Sequence, residues 1–448
     1  MSKPRQAGKN FSGLSAEENL MTKARRFWLF FPFILIPLFV FSCRTAAPGS
    51  AAYTAPAKAK PPSAPESPLV PTADQAEPAE QTGPAEQAGL AEQEAYDLTM
   101  VAAGDNLFHD PILWYFYREG RYNFDPLYES VKPYIEKADI AFVNQETVLG
   151  TSDYSGYPLF NTPREAGSAL AAAGFDVVNH ATNHIMDRGE EGIRSTINYW
   201  EGVSGVRYLG IHPSEETRKK SFCVIEKNNI RVGFLAFTYG TNDIPLPGGK
   251  SYLVSLADTD KMAEEIDKLR ESCDFLVVSM HWGNEYEQKP SAAQEKLAAF
   301  LAGRKVDLVI GHHPHVLQPM TKIRRPDGGD MVVYYSLGNF ASAHAMPDKP
   351  VLMGGLMYIK LKKIGQSIQI ESHALIPLIN HYEKNFTGFK IYPLGEYTEE
   401  LAEKHWKRAG DSGMKREYFL KAAEDLFGKN LMLRNPFARP VMDSPIEY

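Results

Sequence analysis

Three histidines occupy four positions in the stretch GHHPHVLQP, Gly311 to Pro319, directly after the apolar run VDLVI. His313 and His315 leave one turn together, and Pro314 between them removes backbone freedom. Imidazoles spaced in this way grip a metal ion; a merely polar surface loop is the alternative. Four other apolar runs end in comparable residues. DLTMVAAGD stops at Asp105, DIAFVNQE at Glu146, FDVVNHATNH at Asn183 and His184, and DFLVVSMHWG passes through His281. Carboxylate, amide and imidazole donors without a thiolate suit a divalent metal ion such as Mn, Fe, Zn or Mg. A bridging carboxylate holds one ion or two, the latter about 3.5 to 4 Å apart. Such a centre makes bound water acidic and neutralises an attacked phosphate or carbonyl. His184 is then free to protonate the leaving group. Asp187, one helical turn further on, would hold that ring in one tautomer, the alternatives being an N-cap or a solvated acid.

The elements that must position these groups follow from the spacing. The short β-branched runs alternate with Ala- and Glu-rich helical patterns such as REAGSALAAAG and SAAQEKLAAFLAG, which predicts an α/β domain opening at Tyr96. In open α/β sheets ligands bind beyond the carboxyl ends of the strands, where all five candidate sets fall. Past Phe340, GGLMYIKLKK and SIQIESHALIPL read as an antiparallel pair completing a sheet. Two amphipathic patterns between Tyr397 and Phe427 read as packing helices. The expected folded domain is 96–385, followed by a helical extension at 386–448. His344, His373, His381 and His405 read as structural.

The chain has 448 residues, 44% of them hydrophobic, and a net charge of -7. No basic stripe is available to track a phosphate backbone, so nucleic acid is not an expected partner. Lys23, Arg25 and Arg26 precede the apolar run Phe27 to Ser42, which carries two prolines and falls short of the ~20 residues of a spanning helix. Segment 1–43 therefore reads as a secretory, membrane-targeting signal; an uncleaved anchor is the alternative. Met21 fits as a start. From Arg44 to Ala95 the chain is rich in Ala, Pro, Glu and Gln, with AEQ recurring at Ala79, Ala85 and Ala91, and reads as a disordered spacer. Apart from Cys43, only Cys223 and Cys273 occur, which excludes a disulfide framework and leaves two buried thiols or one bridge.

The ordered motifs GDN (Gly104 to Asn106), FVNQET (Phe142 to Thr147), NHATNHIMDRG (Asn179 to Gly189), HWGNEY (His281 to Tyr286), GHHPHVLQP and SLGNF (Ser336 to Phe340) resemble the CapA family of poly-γ-glutamate capsule biosynthesis proteins. That family is similar in fold to calcineurin-like metallophosphoesterases. The resemblance spans Leu98 to Phe340 and implies a sandwich of two mixed β-sheets flanked by helices, with the site at one edge. It places metal ligands at Asp105, Glu146, Asn183, His281, His313 and His315, and the catalytic histidine at His184. Asn144, Glu285 and Asn339 would stand behind the ligands, with Glu285 also open to a role as ligand or proton carrier; His312 and His180 would orient neighbours. Leu107 stands where the wider superfamily has a histidine, His109 lies two residues beyond it, and Glu146 replaces an aspartate. Cys43, following Val40, Phe41 and Ser42, resembles the lipid-bearing cysteine of bacterial lipoproteins.

Two functions follow. One is an envelope-tethered protein of poly-γ-glutamate or related anionic polymer synthesis and export, outside the cytoplasmic membrane of a bacterium, with a polymer synthase complex as partner. The other is a metal-dependent hydrolase acting on an extracytoplasmic phosphoester or, as a further option, an amide.

Overall fold

The computed structural model describes residues 94–220, 222–344, 349–407 and 414–438. The signal-like segment, Met21, Cys43 and nearly all of the spacer lie outside the described residues. The strands of the two large sheets are, in chain order, β1 (Ala95–Asn106), β2 (Ile140–Gln145), β3 (Val177–Asn179), β4 (Arg207–Leu209), β5 (Cys223–Lys227), β6 (Ile230–Thr238) and β7 (Phe275–His281). They continue with β8 (Leu308–His312), β9 (Leu317–Arg324), β10 (Asp330–Leu337), β11 (Asn339–Ala341), β12 (Met353–Ile364), β13 (Ser367–Glu383) and β14 (Thr387–Pro393). The first sheet runs β14-β13-β12-β1-β2-β3-β4, with β11 beside β1; the second runs β9-β10-β8-β7-β6-β5. Both are mixed. β1 pairs in parallel with β2 and antiparallel with β12, and β6 pairs in parallel with β7 and antiparallel with β5.

A shared core fixes the two sheets face to face. Val101, Phe142 and Val177 of the first sheet pack with Phe234, Val277 and Ile310 of the second. The Phe142 and Phe234 rings stack at 6.3 Å. The period of two in a strand sends Val277 into this core and its neighbours Leu276 and Val278 to the opposite face. There they meet helices Thr259–Arg270 and Ala292–Gly303 through Ile266, Leu269, Ala298 and Leu301. Strands covered on both faces are apolar throughout, which is why they were visible as unbroken runs.

The expected antiparallel pair is β12 and β13. The expected boundary at 385 is corrected, because it falls inside the hairpin between β13 and β14. Among the described residues past 385, α-helices form at Glu399–Lys404 and Arg416–Phe427, and Phe419, Ala423 and Phe427 of the latter join the main core. A segment whose apolar face completes that core is part of the domain rather than an extension. Cys223 and Cys273 are both free thiols. Burial pushes them up to about 12 and about 11, so both stay protonated.

Candidate metal centre

Parallel strands of both sheets bring polar residues at or just past their ends to one edge of the sandwich. Asp105 is the penultimate residue of β1, Glu146 follows β2, Asn183 follows β3, His281 ends β7, and His313 and His315 follow β8. Gly104 permits this convergence. A Cβ there would lie 2.0 Å from the Gly338 carbonyl oxygen, which accepts a hydrogen bond from the Asp105 N–H at 2.8 Å. His313 and His315 have φ of 94° and 58°, left-handed values that cost non-glycine residues energy and accumulate at functional sites.

Three groups of side chains have ligand atoms within 4.8 Å of one another: Glu146, His281 and His313; Asp105, Glu146 and His315; and Glu285, His313 and His315. His315 Nδ1 lies 3.1 Å from Asp105 Oδ2, and its Nε2 lies 3.6 Å from Glu146 Oε1. His281 Nε2 is 3.7 Å from the same Glu146 oxygen and 2.9 Å from Asn183 Oδ1. Asn144 donates to Asp105 Oδ1 at 2.8 Å and accepts from Asn179. Asn339 Oδ1 lies 3.1 Å from His315 Nδ1, and its amide nitrogen donates to the His315 carbonyl. His312 sits 3.4 Å from Asp105, and His180 accepts from Trp200. Every sequence-predicted site residue among the described residues is thus brought to this edge or directly behind it.

The electrostatics favour a cation. Burial alone would raise Asp105, but hydrogen bonds from His312 and His315 hold it well below the usual carboxylate range. Burial raises Glu146 well above that range; the His315 charge opposes the rise, while Asp105 and Glu285 add to it. Burial lowers His315, yet Glu146 and Asp105 overcome this and push it up to about 9. Burial and the neighbouring imidazoles lower His281, and push His313 down to about 3. Both oxygens of the fully buried Glu146 have no hydrogen-bond partner. A buried carboxylate in that state is costly unless a cation compensates it. The donors present therefore fit a divalent ion held by Asp105, Glu146, Asn183, His281, His313 and His315.

Beside the cluster, His184 Nδ1 lies 2.8 Å from Asp187 Oδ2, which also accepts from the Phe160 N–H at 2.7 Å. Asp187 is buried and precedes the helix N-cap, Arg188, so it is neither a cap nor a solvated acid. The pair leaves His184 Nε2 free to exchange a proton.

Two features were missed in the sequence. Tyr239 and Asn242 follow β6; Tyr239 stacks on His281 and lies tilted against His313, and Asn242 contacts Asn183 and His184. The run IRVGFLAFT has the same strand-end logic, but its polar residues come one and four positions later. His344, expected to be structural, has its ring 5.0 Å from that of His315. His109 lies against His344 at 4.6 Å, outside the three ligand groups.

Residues 99–344, more than half the chain, match the family described as bacterial capsule synthesis protein PGA_cap, and the chain belongs to that family. It is 31% identical over 234 residues to the capsule biosynthesis protein CapA of Bacillus anthracis, covering 49% of this chain and 54% of the relative. It is 29% identical over 227 residues to the PGA biosynthesis protein CapA of Bacillus subtilis (strain 168), covering 48% and 56%. The chain spans about half the length of the curated relatives it matches. Among solved structures, the calcineurin-like phosphoesterase YfkN from Bacillus subtilis aligns at 14% identity and TM-score 0.39, covering 73% of this chain and 100% of that one.

Proposed function

We propose that this chain is a metal-dependent hydrolase of capsule synthesis that processes poly-γ-glutamate or a related anionic polymer outside the cytoplasmic membrane. Family membership supports the polymer class. The observation that carries the chemistry is the buried Glu146, with both oxygens unpartnered, beside an imidazole clamped by Asp187 at 2.8 Å. Asp105, Glu146, Asn183, His281, His313 and His315 would hold a divalent ion such as Mn, Fe, Zn or Mg, which when bound would supply an acidified water and charge neutralisation. Asp187 accepts from His184 Nδ1, which fixes the tautomer and leaves Nε2 to carry a proton to the leaving atom. Tyr239 covers His281 and His313 from the solvent side and restricts access to them. Tethering runs through Cys43, or through Phe27 to Ser42 as an anchor, with residues 44–93 as spacer and a polymer synthase complex as partner.

The second reading is a phosphoesterase, favoured by a donor set of carboxylate, amide and imidazole suited to a phosphoryl centre. The full chain, purified in detergent and supplied with Mn, distinguishes the two against poly-γ-glutamate and an aryl phosphate. The expected result is shortening of the polymer, lost by about 10²- to 10⁴-fold in His184→Ala with metal content retained. Turnover of the aryl phosphate alone would replace the first reading with the second, and turnover of neither would overturn both.

A further inference from the structure

We infer that His109 and His344 form a subsite for a carboxylate of the polymer, set between the His184–Asp187 pair and the metal centre. The inference rests on the reading of that centre as a polymer-processing site. An arc of rings joins the two: His184 to Phe160 at 4.7 Å, Phe160 to His109 at 5.4 Å, His109 to His344 at 4.6 Å, and His344 to His315 at 5.0 Å. Tyr286 closes its outer side, edge-on to His344 at 5.7 Å. His315 and His184 have assigned tasks, and His109 and His344 have none.

Both unassigned imidazoles are 8% exposed, and His344 keeps a ring nitrogen without a hydrogen bond. The Ala343 N–H donates to His109 Nδ1 at 3.3 Å, and the ring also meets the Leu107 backbone, which holds His109 beside His344. His344 Nε2 is buried with no partner. A buried polar atom left unpaired is destabilising, and a charged acceptor brought to it gains more than a neutral one. In a γ-linked glutamate chain every amide is flanked by a free α-carboxylate. A scissile amide at the centre therefore brings a carboxylate within a few bonds of the reacting carbon. Anchoring that group would select an anionic, γ-linked chain over a neutral one.

The test uses the detergent-purified full chain carrying His184→Ala, which prevents cleavage, loaded with Mn and titrated calorimetrically. The probes are a short γ-linked glutamate oligomer and the same oligomer with its carboxylates methyl-esterified. His109→Ala and His344→Ala are each expected to weaken the acidic oligomer about tenfold or more, with little effect on the already weaker ester. His109→Gln and His344→Gln, which keep an N–H donor, should recover part of the loss, and Mn content should stay at the parent level. Unchanged affinity in all four variants, an equal loss for the ester, or loss of Mn would each overturn the subsite. If the parent binds the oligomer and the variants weaken it, but the wild type never cuts it, the hydrolase reading falls while the subsite stands. No binding to the parent overturns both.

Discussion

Asp187 shows how much of the chemistry depends on one side chain held by its surroundings. Its Oδ2 accepts from both the Phe160 N–H and His184 Nδ1, so the carboxylate and the ring are locked in one relation. Replacing it by Asn removes the charge that stabilises a protonated ring and admits the wrong tautomer. Asp187→Asn should lower the hydrolysis rate by about 10²-fold or more with Mn content unchanged, measured as initial rates of polymer shortening. A wild-type rate would remove His184 from the proton path. His184 was legible in the sequence at the end of a strand run, whereas the spacing alone left Asp187 equally open to a cap or a solvated acid. Asn242 was not legible, since a lone asparagine in a Gly- and Pro-rich loop resembles any turn residue. Its φ of 50° and its contacts with Asn183 and His184 emerge only when β6 is placed beside β7.

At the scale of elements, the parallel strands act as rigid arms whose length sets where the ligands meet. Phe142 on β2 stacks between Phe234 of the facing sheet and His312 behind the centre. Phe142→Ala should cost about 3 to 5 kcal/mol by denaturant unfolding, the range for a buried aromatic truncated in a close-packed core. A cost under about 1 kcal/mol would mean that the sheets do not share the core described. At the far end of the sandwich, Asp274 ties Arg231 of β6 to Lys363 of β12, each at 2.9 Å. Burial opposes its ionisation, but Arg231 and Lys363 hold Asp274 down to about 2. A carboxylate with a lowered folded-state pKa contributes stability above its unfolded value of about 3.9 and loses it as pH falls through the folded value. Asp274→Asn should therefore cost about 1 kcal/mol at neutral pH, after allowance for solvent screening, and nothing below about pH 2. An equal cost at both pH values would remove this link between the sheets. The strands buried on both faces were legible as apolar runs. β14 was not, because TGFKIYP is short and its glycine turn at the start breaks the run.

For the whole molecule, the arrangement is one in which stability and function oppose each other at a single edge. The fold gathers two buried carboxylates and three imidazoles as ligands, leaves Glu146 without a hydrogen bond, and strains the backbone at His313 and His315. A cation that binds only the folded state offsets these costs in proportion to its concentration over its Kd. The six ligand candidates were legible because strand order need not be known to see polar residues at the ends of apolar runs. The positions of His109 and His344 were not, since their approach depends on β11 lying beside β1, a pairing of only a few residues. Calorimetric titration of Mn into the chelator-stripped full chain tests the central claim most directly. The account predicts saturable binding that raises the melting temperature, with Glu146→Gln weakening it by about 10²-fold or more while melting no lower than the stripped wild type. Failure of the stripped wild type to take up Mn, Fe, Zn or Mg, or equal binding by Glu146→Gln, would contradict it.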